Sequence, residues 1–268
     1  MTTQMLIYER AAPITVAAHK DTYVKTGADF GFASKINAVP LMATEFISAA
    51  KEFAVVFAGT EDKVMPTAVL GVRNEENLFV NEDGSWDARY RPAFLRQYPF
   101  VFAGREGSDQ LTLCIDEQFK GVNKDGRGER LFDADGNRTA YLNLMLDFAQ
   151  KYQGHFRRTE IFCQRLKEHG LLEPMQAKFT LPDGQSVQLA GFWAVNREKV
   201  KQLDGDTLKA LAQTDELELI YVHLQSMQNL DRLIERLGGV AAETDEKAKP
   251  ARKNAAKARK EETEIDAS

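Results

Sequence analysis

From Thr139 onward the chain carries an apolar spacing that one kind of element satisfies. Tyr141, Leu144, Met145, Phe148, Tyr152, Phe156, Phe162 and Leu166 recur every three to four residues, the period of a helix with one buried face. Gly170 follows His169 and supplies a stop, because glycine readily takes the left-handed conformation that closes a helix. The spacing predicts one long amphipathic helix. Gly154 lies inside it and weakens it by about 1 kcal/mol relative to alanine.

The first half reads differently. Val55, Val56 and Phe57, then residues 68–72, then residues 78–80 are β-prone runs bounded by turn residues, the pattern of an antiparallel sheet. Asn81-Glu82-Asp83-Gly84 has hairpin chemistry, since Asp-Gly supplies the positive φ of a tight reversal. Residues 44–53 place Phe46, Ala49, Ala50 and Phe53 at helical spacing. After the long helix, Met175, Ala177, Phe179 and Leu181 alternate with polar residues, Pro182-Asp183-Gly184 reverses the chain, and Val187 and Leu189 alternate again, predicting a second hairpin. Asp206 is placed to cap a short helix through Gln213. Asp215 and Glu218 have capping-box spacing ahead of a helix carrying Leu217, Ile220, Leu224, Leu230, Ile234 and Leu237 and ending at Gly238-Gly239. The expected class is α+β: a mostly antiparallel sheet with hairpins in the first half, long amphipathic helices and a second hairpin in the second. One domain is expected over residues 1–240, followed by a disordered charged tail at 241–268.

Composition narrows function by exclusion. With 268 residues, 43% of them hydrophobic, the chain can bury a core without disulfides or metals. A net charge of -5 argues against a body built to neutralise phosphates. Cys114 and Cys163 lack CxxC spacing, which points to a reducing compartment. The first twenty residues lack the cationic start and apolar block of a secretory signal, and no apolar run approaches the roughly 20 residues of a membrane helix. A cytoplasmic protein is expected. Past Ala242 a basic stretch at 247–260 is followed by acidic residues at 261–266. Such a tail either touches nucleic acid, anionic lipid or an acidic partner or is only solvated. Nucleic acid is expected to bind nowhere else.

Motifs for chemistry are missing. Walker A spacing, a GxSxG elbow and an HExxH helix are all absent. Gly126-Arg127-Gly128 reads as a loop, and Asp133-Ala134-Asp135-Gly136 as a turn, because a calcium loop would place ligands where Leu131 and Leu142 stand. His19, His155, His169 and His223 form no local cluster, so no metal and no cofactor is expected. His169 reads as a helix-dipole partner, His155 as a surface residue and Cys114 as a buried structural thiol whose pKa the adjacent Asp116 raises. Trp86, Arg89, Tyr90 and Arg96 concentrate the residue types that dominate binding hot spots; the alternative is an aromatic core with arginines paired to acids. A second candidate is a pocket gathering His19, Glu45, Asp116 and His223 from separate segments.

An ordered set of short motifs resembles the SapC family of bacterial proteins, named for association with surface-layer protein secretion. They run from His19-Lys20-Asp21 and Asn37-Ala38-Val39-Pro40-Leu41 with Glu45-Phe46, through Val55-Val56-Phe57 and Glu76-Asn77-Leu78-Phe79-Val80 with Trp86, to Arg89-Tyr90-Arg91-Pro92-Ala93-Phe94 and Tyr98-Pro99-Phe100. Cys114-Ile115-Asp116, Leu131-Phe132-Asp133, Leu171-Leu172-Glu173-Pro174, Gly191-Phe192 and Leu219-Ile220 with His223 complete them. The resemblance implies a surface-protein context, with relatives met near genes for halogenase-like flavoproteins and TonB-dependent receptors. The expectation is a cytoplasmic, non-enzymatic accessory protein that binds a partner of surface-layer, secretion or TonB-receptor-linked context through Trp86, Arg89, Tyr90 and Arg96. The alternative is an enzyme or small-ligand protein using the histidine and carboxylate pocket.

Overall fold

The long helix sets the plan of the molecule. In a computed structural model, which describes residues 6–27, 29–60, 63–104, 111–180 and 184–238, it is α4 (Ala140–Glu168), opened by Thr139, whose hydroxyl accepts from Leu142 N at 3.3 Å, and closed by His169. Gly170 follows with φ +63°. Its buried stripe runs through Leu142, Ala149, Tyr152, Thr159, Phe162, Cys163 and Leu166. Leu144 is a correction: it is 62% exposed, because two residues beyond Leu142 is about 200° around the helix.

Three sheets surround this helix, all antiparallel. The largest, in spatial order, is β10 (Leu172–Thr180), β11 (Ser186–Val195), β4 (Val55–Gly59), β5 (Val64–Val69) and β3 (Ala38–Pro40). A second has β7 (Leu111–Asp116) between β1 (Ala11–Pro13) and β6 (Phe100–Gly104). A third sets β2 (Tyr23–Val24) between β8 (Val122–Asn123) and β9 (Glu129–Arg130). The C-terminal half of α4 packs Phe162 against Phe46 and Phe57 of the main core. Its N-terminal half packs Leu142 with Phe100, Ile115, Leu131 and Phe132 over the smaller sheets. One hydrophobic core nevertheless runs from Ile7 to Ile234.

The hairpin of β10 and β11 forms with its alternation largely intact, Ala177 and Phe179 buried. Its register shifts after Met175, opposite Gly191 at φ +81°. A bulge needs this conformation, and glycine adopts it without strain. Leu181, Pro182 and Asp183 of the expected turn, and the tail from residue 239, lie outside the described residues.

Several boundaries differ from the sequence reading. The run at 68–72 is strand only to Val69, and its strand begins at Val64, ahead of Pro66. Residues 78–80 form no strand beyond a single bridge, Val80 to Trp86. There the side chain of Asn77 replaces a ladder, accepting from Phe79 N at 3.0 Å and donating to Ala33 O at 2.9 Å. The helix expected at 44–53 is a 3-10 turn, Ala43–Glu45, followed by α2 (Phe46–Ala49). Short helices α1 (Val16–His19), α3 (Ala93–Gln97) and α5 (Arg197–Lys201) complete the connections.

At the C-terminal end the cap of α6 (Gly205–Gln213) is Asp204, which accepts from Thr207 N at 2.9 Å, and Asp206 falls in the first turn. The capping box at Asp215 does not form. Asp215 takes φ +61°, outside the extended region a cap requires, and its side chain makes no cap bond. The helix instead splits into α7 (Glu216–Ser226) and α8 (Asn229–Arg236). Polar residues at the break hold main chain: Ser226 Oγ accepts from Val55 N at 3.0 Å, and Asn229 donates to Ala50 O at 2.7 Å and Phe53 O at 3.0 Å.

Candidate functional site

Two carboxylates seven residues apart shape the region around Arg89. Glu45 accepts from Met42 N at 2.9 Å and from Ala93 N and the Tyr90 hydroxyl at 2.7 Å each. Glu52 accepts from Arg89 N at 2.7 Å and Tyr90 N at 2.8 Å. Charge-assisted bonds of this kind are short and strong, so the loop carrying Arg89 is fixed to α2 and the turn after it. Burial first, and the Glu45 charge second, raise the Tyr90 hydroxyl above its ordinary pKa of 10.0, which keeps it a donor to that carboxylate.

The same loop ends on an aromatic stack. Trp86 packs 5.7 Å from Phe30, 6.1 Å from Phe53 and 5.9 Å from Phe79, ring centre to ring centre, and its indole N–H donates to Tyr90 O at 2.9 Å. Arg96 lies over the rings of Phe148 at 5.4 Å and Tyr90 at 6.0 Å and donates to Arg91 O. Of the four residues expected to form a recognition surface, Trp86 and Tyr90 are half-buried and held by internal bonds, whereas Arg89 and Arg96 are exposed. The loop is further tied to α8 by Arg236, which donates to Asp87 Oδ2 at 2.7 Å and lies 4.3 Å from the Phe79 ring centre.

Beside this loop is an open notch of about 480 Å³ lined by Ser48, Lys51, Glu52, Arg89, Tyr90 and Arg232. Lys51, Arg89 and Arg232 are exposed, and the one side-chain bond among the three runs from Arg232 to Lys51 O at 3.2 Å. A smaller hollow of about 160 Å³ continues past Lys51 and Arg232 to Gln225, Gln228 and Asn229. Three cations therefore meet on a chain whose net charge is -5. Glu52 adds one negative charge, and both its oxygens accept loop amides. Such a notch attracts carboxylate or phosphate groups, which arginine engages with two parallel bonds. Ile47, 51% exposed, adds apolar surface next to Ser48.

Sequence reasoning found Arg89 and Tyr90 here and missed Lys51 and Arg232. Those two come from the turn after α2 and from α8, and neither has a local motif. The only available signal was their position on the polar side of an apolar periodic segment.

His19, Glu45, Asp116 and His223 are all buried, and no hydrogen bond joins any two of them among the described residues. Each binds main chain. His19 Nδ1 accepts from Thr15 N at 3.3 Å, and its Nε2 lies 3.5 Å from Glu117 without the alignment of a hydrogen bond. Asp116 accepts from Glu9 N, Arg10 N and Gln118 N and from the Tyr98 hydroxyl, over 2.9 to 3.2 Å. His223 Nε2 accepts from Val195 N at 3.0 Å and Nδ1 lies 2.7 Å from Val55 O, an arrangement that needs the Nδ1–H tautomer. Burial lowers its pKa to about 4, against the opposing effect of Val55 O. No group of three or more His, Cys, Asp or Glu is placed to hold a metal among the described residues.

One further reading is refined, and a second thiol joins it. Cys114 is buried and its pKa is raised, but the cause is burial rather than Asp116. Cys163 is pushed up to about 12, by burial first and by Glu160 second. No helix among the described residues is long and apolar enough to cross a membrane.

Comparison with known proteins adds one match. A family model described as SapC matches residues 14–233, a span that takes in every strand but β1 and includes the loop bearing Arg89. No curated protein and no solved structure matches the chain.

Proposed function

The chain belongs to the SapC family, and from that premise we propose that it is a cytoplasmic, non-enzymatic accessory protein that binds an acidic segment of a protein partner in the notch of Lys51, Arg89 and Arg232. The observation that carries this reading is the meeting of three exposed cations from three separate segments beside a loop held rigid by Glu45 and Glu52. Main chain already fixed around the notch does not have to be ordered when an anion binds, which lowers the cost of binding. The partner we propose belongs to the handling of surface-layer, secreted or TonB-receptor-linked proteins, a reading supported only by the context that the family resemblance implies.

The test is native co-purification from the cells that make the protein, comparing the wild type with a Lys51→Gln, Arg89→Gln, Arg232→Gln variant. All three positions are exposed, so the variant is expected to fold with an unchanged Tm. The expected result is a stoichiometric partner lost from the variant and released from the wild type by salt, since exposed charges are screened beyond about 10 Å at 0.1 M. A partner retained in full by the folded variant overturns the placement.

A further inference from the structure

A second cavity, on the other side of the long helix from the arginine loop's anchor, has no part in that reading. It has a volume of about 670 Å³ and lies between α4 and the sheet of β6 and β7, within the 300 to 1,000 Å³ typical of small-molecule sites. Its wall on α4 is a single stripe, Leu142, Leu146, Gln150, Gln153, Gly154 and Arg157, at spacings of three to four residues that share one helix face. Phe102 and Leu113, cross-strand partners on β6 and β7, and Phe132 line it from the sheets.

The stripe has a polarity. Leu142 and Leu146, with Phe102, Leu113 and Phe132, line one end with apolar side chains, and the exposed Arg138 lies at its rim. Gln150, Gln153 and Arg157 make the other end polar and cationic. From residue 142 to residue 157 the helix advances about 22 Å at 1.5 Å per residue. Arg157 is exposed and forms no ion pair among the described residues.

Gly154 is the independent observation. Glycine in a helix interior is worse than alanine by about 1 kcal/mol, and it is normally tolerated for a backbone angle or a close approach. Neither applies, because Gly154 is absent from the residues with positive φ and a Cβ built there meets nothing within 4 Å. Gly154 is exposed and lines the polar end of the cavity, so the space beside it is open to solvent and to a ligand in the cavity alike. Space next to a cation and two amides is space for a head group.

We infer that this cavity binds a single-chain amphiphile with a carboxylate head, such as a free fatty acid. The alkyl chain lies over Leu142, Leu146, Phe102 and Leu113. The carboxylate sits at Gly154, with Arg157 and the side-chain amides of Gln150 and Gln153 as donors. Arg138 lies just before the first turn of α4, which begins about 21 Å along the helix from Gly154 at 1.5 Å per residue, and takes no part in holding the head group.

The test uses dodecanoate as the probe, in displacement of cis-parinaric acid from the full chain, with dodecyltrimethylammonium and 1-dodecanol as chain-matched controls. Dodecanoate is expected to bind one to one and at least tenfold more tightly than the cationic control. Arg157→Gln, a surface change that leaves folding intact, is expected to weaken dodecanoate about tenfold. Arg138→Gln is expected to change it less than twofold. Gly154→Leu should abolish binding while leaving Tm equal or higher, since leucine is a better helix former than glycine. Equal binding of the three probes overturns the inference, as does binding unaltered by Gly154→Leu and Arg157→Gln. Co-sedimentation with phosphatidylglycerol vesicles that persists in Gly154→Leu, without dodecanoate binding to the wild type, assigns the surface to a membrane and also overturns it.

Discussion

His223 links a helix to two strands, and its substitution gives a stability difference that can be worked out in advance. The ring is fully buried, accepts from Val195 N and donates to Val55 O, and packs 5.0 Å from the Phe57 ring. Burial lowers its pKa from 6.5 to about 4, so the folded protein holds it neutral while the unfolded chain takes up a proton below pH 6.5. Where the unfolded state binds more protons, stability falls as pH falls. The stability is therefore whole above pH 6.5 and is lost as pH drops toward 4. Between pH 7 and pH 5 the difference is about 2 kcal/mol, at 1.36 kcal/mol for each pH unit within the window.

Urea unfolding of the wild type and of His223→Gln at both pH values isolates this effect, because the carboxylates common to both proteins cancel in the double difference. Glutamine does not titrate, and its amide can accept from Val195 N and donate to Val55 O. The wild type is expected to lose about 2 kcal/mol more than the variant on going from pH 7 to pH 5. At pH 7 the variant itself is expected to be weaker by about 1 to 3 kcal/mol, the cost of imperfectly met buried groups. Equal pH dependence in the two proteins would falsify the assignment of a neutral, depressed His223.

Other outcomes follow from the same geometry. Glu52→Ala removes a negative charge from the notch, which on charge alone strengthens anion binding; because Glu52 holds Arg89 N and Tyr90 N, capture of the acidic partner is expected to weaken several-fold, and strengthened capture refutes the positioning role. Gly154→Ala is expected to raise stability by about 0.5 to 1 kcal/mol in denaturant, and a loss of stability would show that the cavity wall is tightly packed there. Cys114 and Cys163, both buried with raised pKa values, are expected to resist iodoacetamide at pH 8 in the folded state and to react in urea. Fast labelling of the native protein contradicts their burial.

The legible parts of this fold were those fixed by local periodicity. The stripe on α4, its glycine stop and the alternation of β10 and β11 follow from residues close in sequence. What was not legible depended on side chains that bind distant main chain. Asn77 took the place of a ladder at 78–80, and Ser226 and Asn229 broke a continuous apolar period into α7 and α8 by binding residues 50–55. Asp215 entered the left-handed region while its neighbour Glu216 paired with Arg165 of α4 at 2.8 Å, an interaction no capping rule anticipates.

The candidate site divides along the same line. Arg89 and Tyr90 were visible as part of an aromatic and basic cluster, but the cluster reads as a surface only until the rings are seen to bury one another. The notch itself needs Lys51 and Arg232, which are brought together by the bonds of Asn229 and Arg232 to the carbonyls of Ala50, Phe53 and Lys51 and by the burial of α2 and α8 in one core. Glu45, chosen for chemistry from its sequence setting, instead anchors Met42 N, Ala93 N and Tyr90. A buried carboxylate with several amide donors is an architectural part of a binding site as readily as a reactive group.

The measurement that bears most directly on the proposed function is photo-crosslinking from position 48. Ser48 is exposed and lines the notch without contributing a charge, so a benzophenone side chain there leaves Lys51, Arg89 and Arg232 in place. Crosslinked in living cells and sequenced by mass spectrometry, the protein is expected to capture one partner through a peptide rich in aspartate and glutamate, and to lose it when the three cations become glutamine. A crosslinked peptide without acidic residues, or one captured equally by the triple variant, contradicts the account.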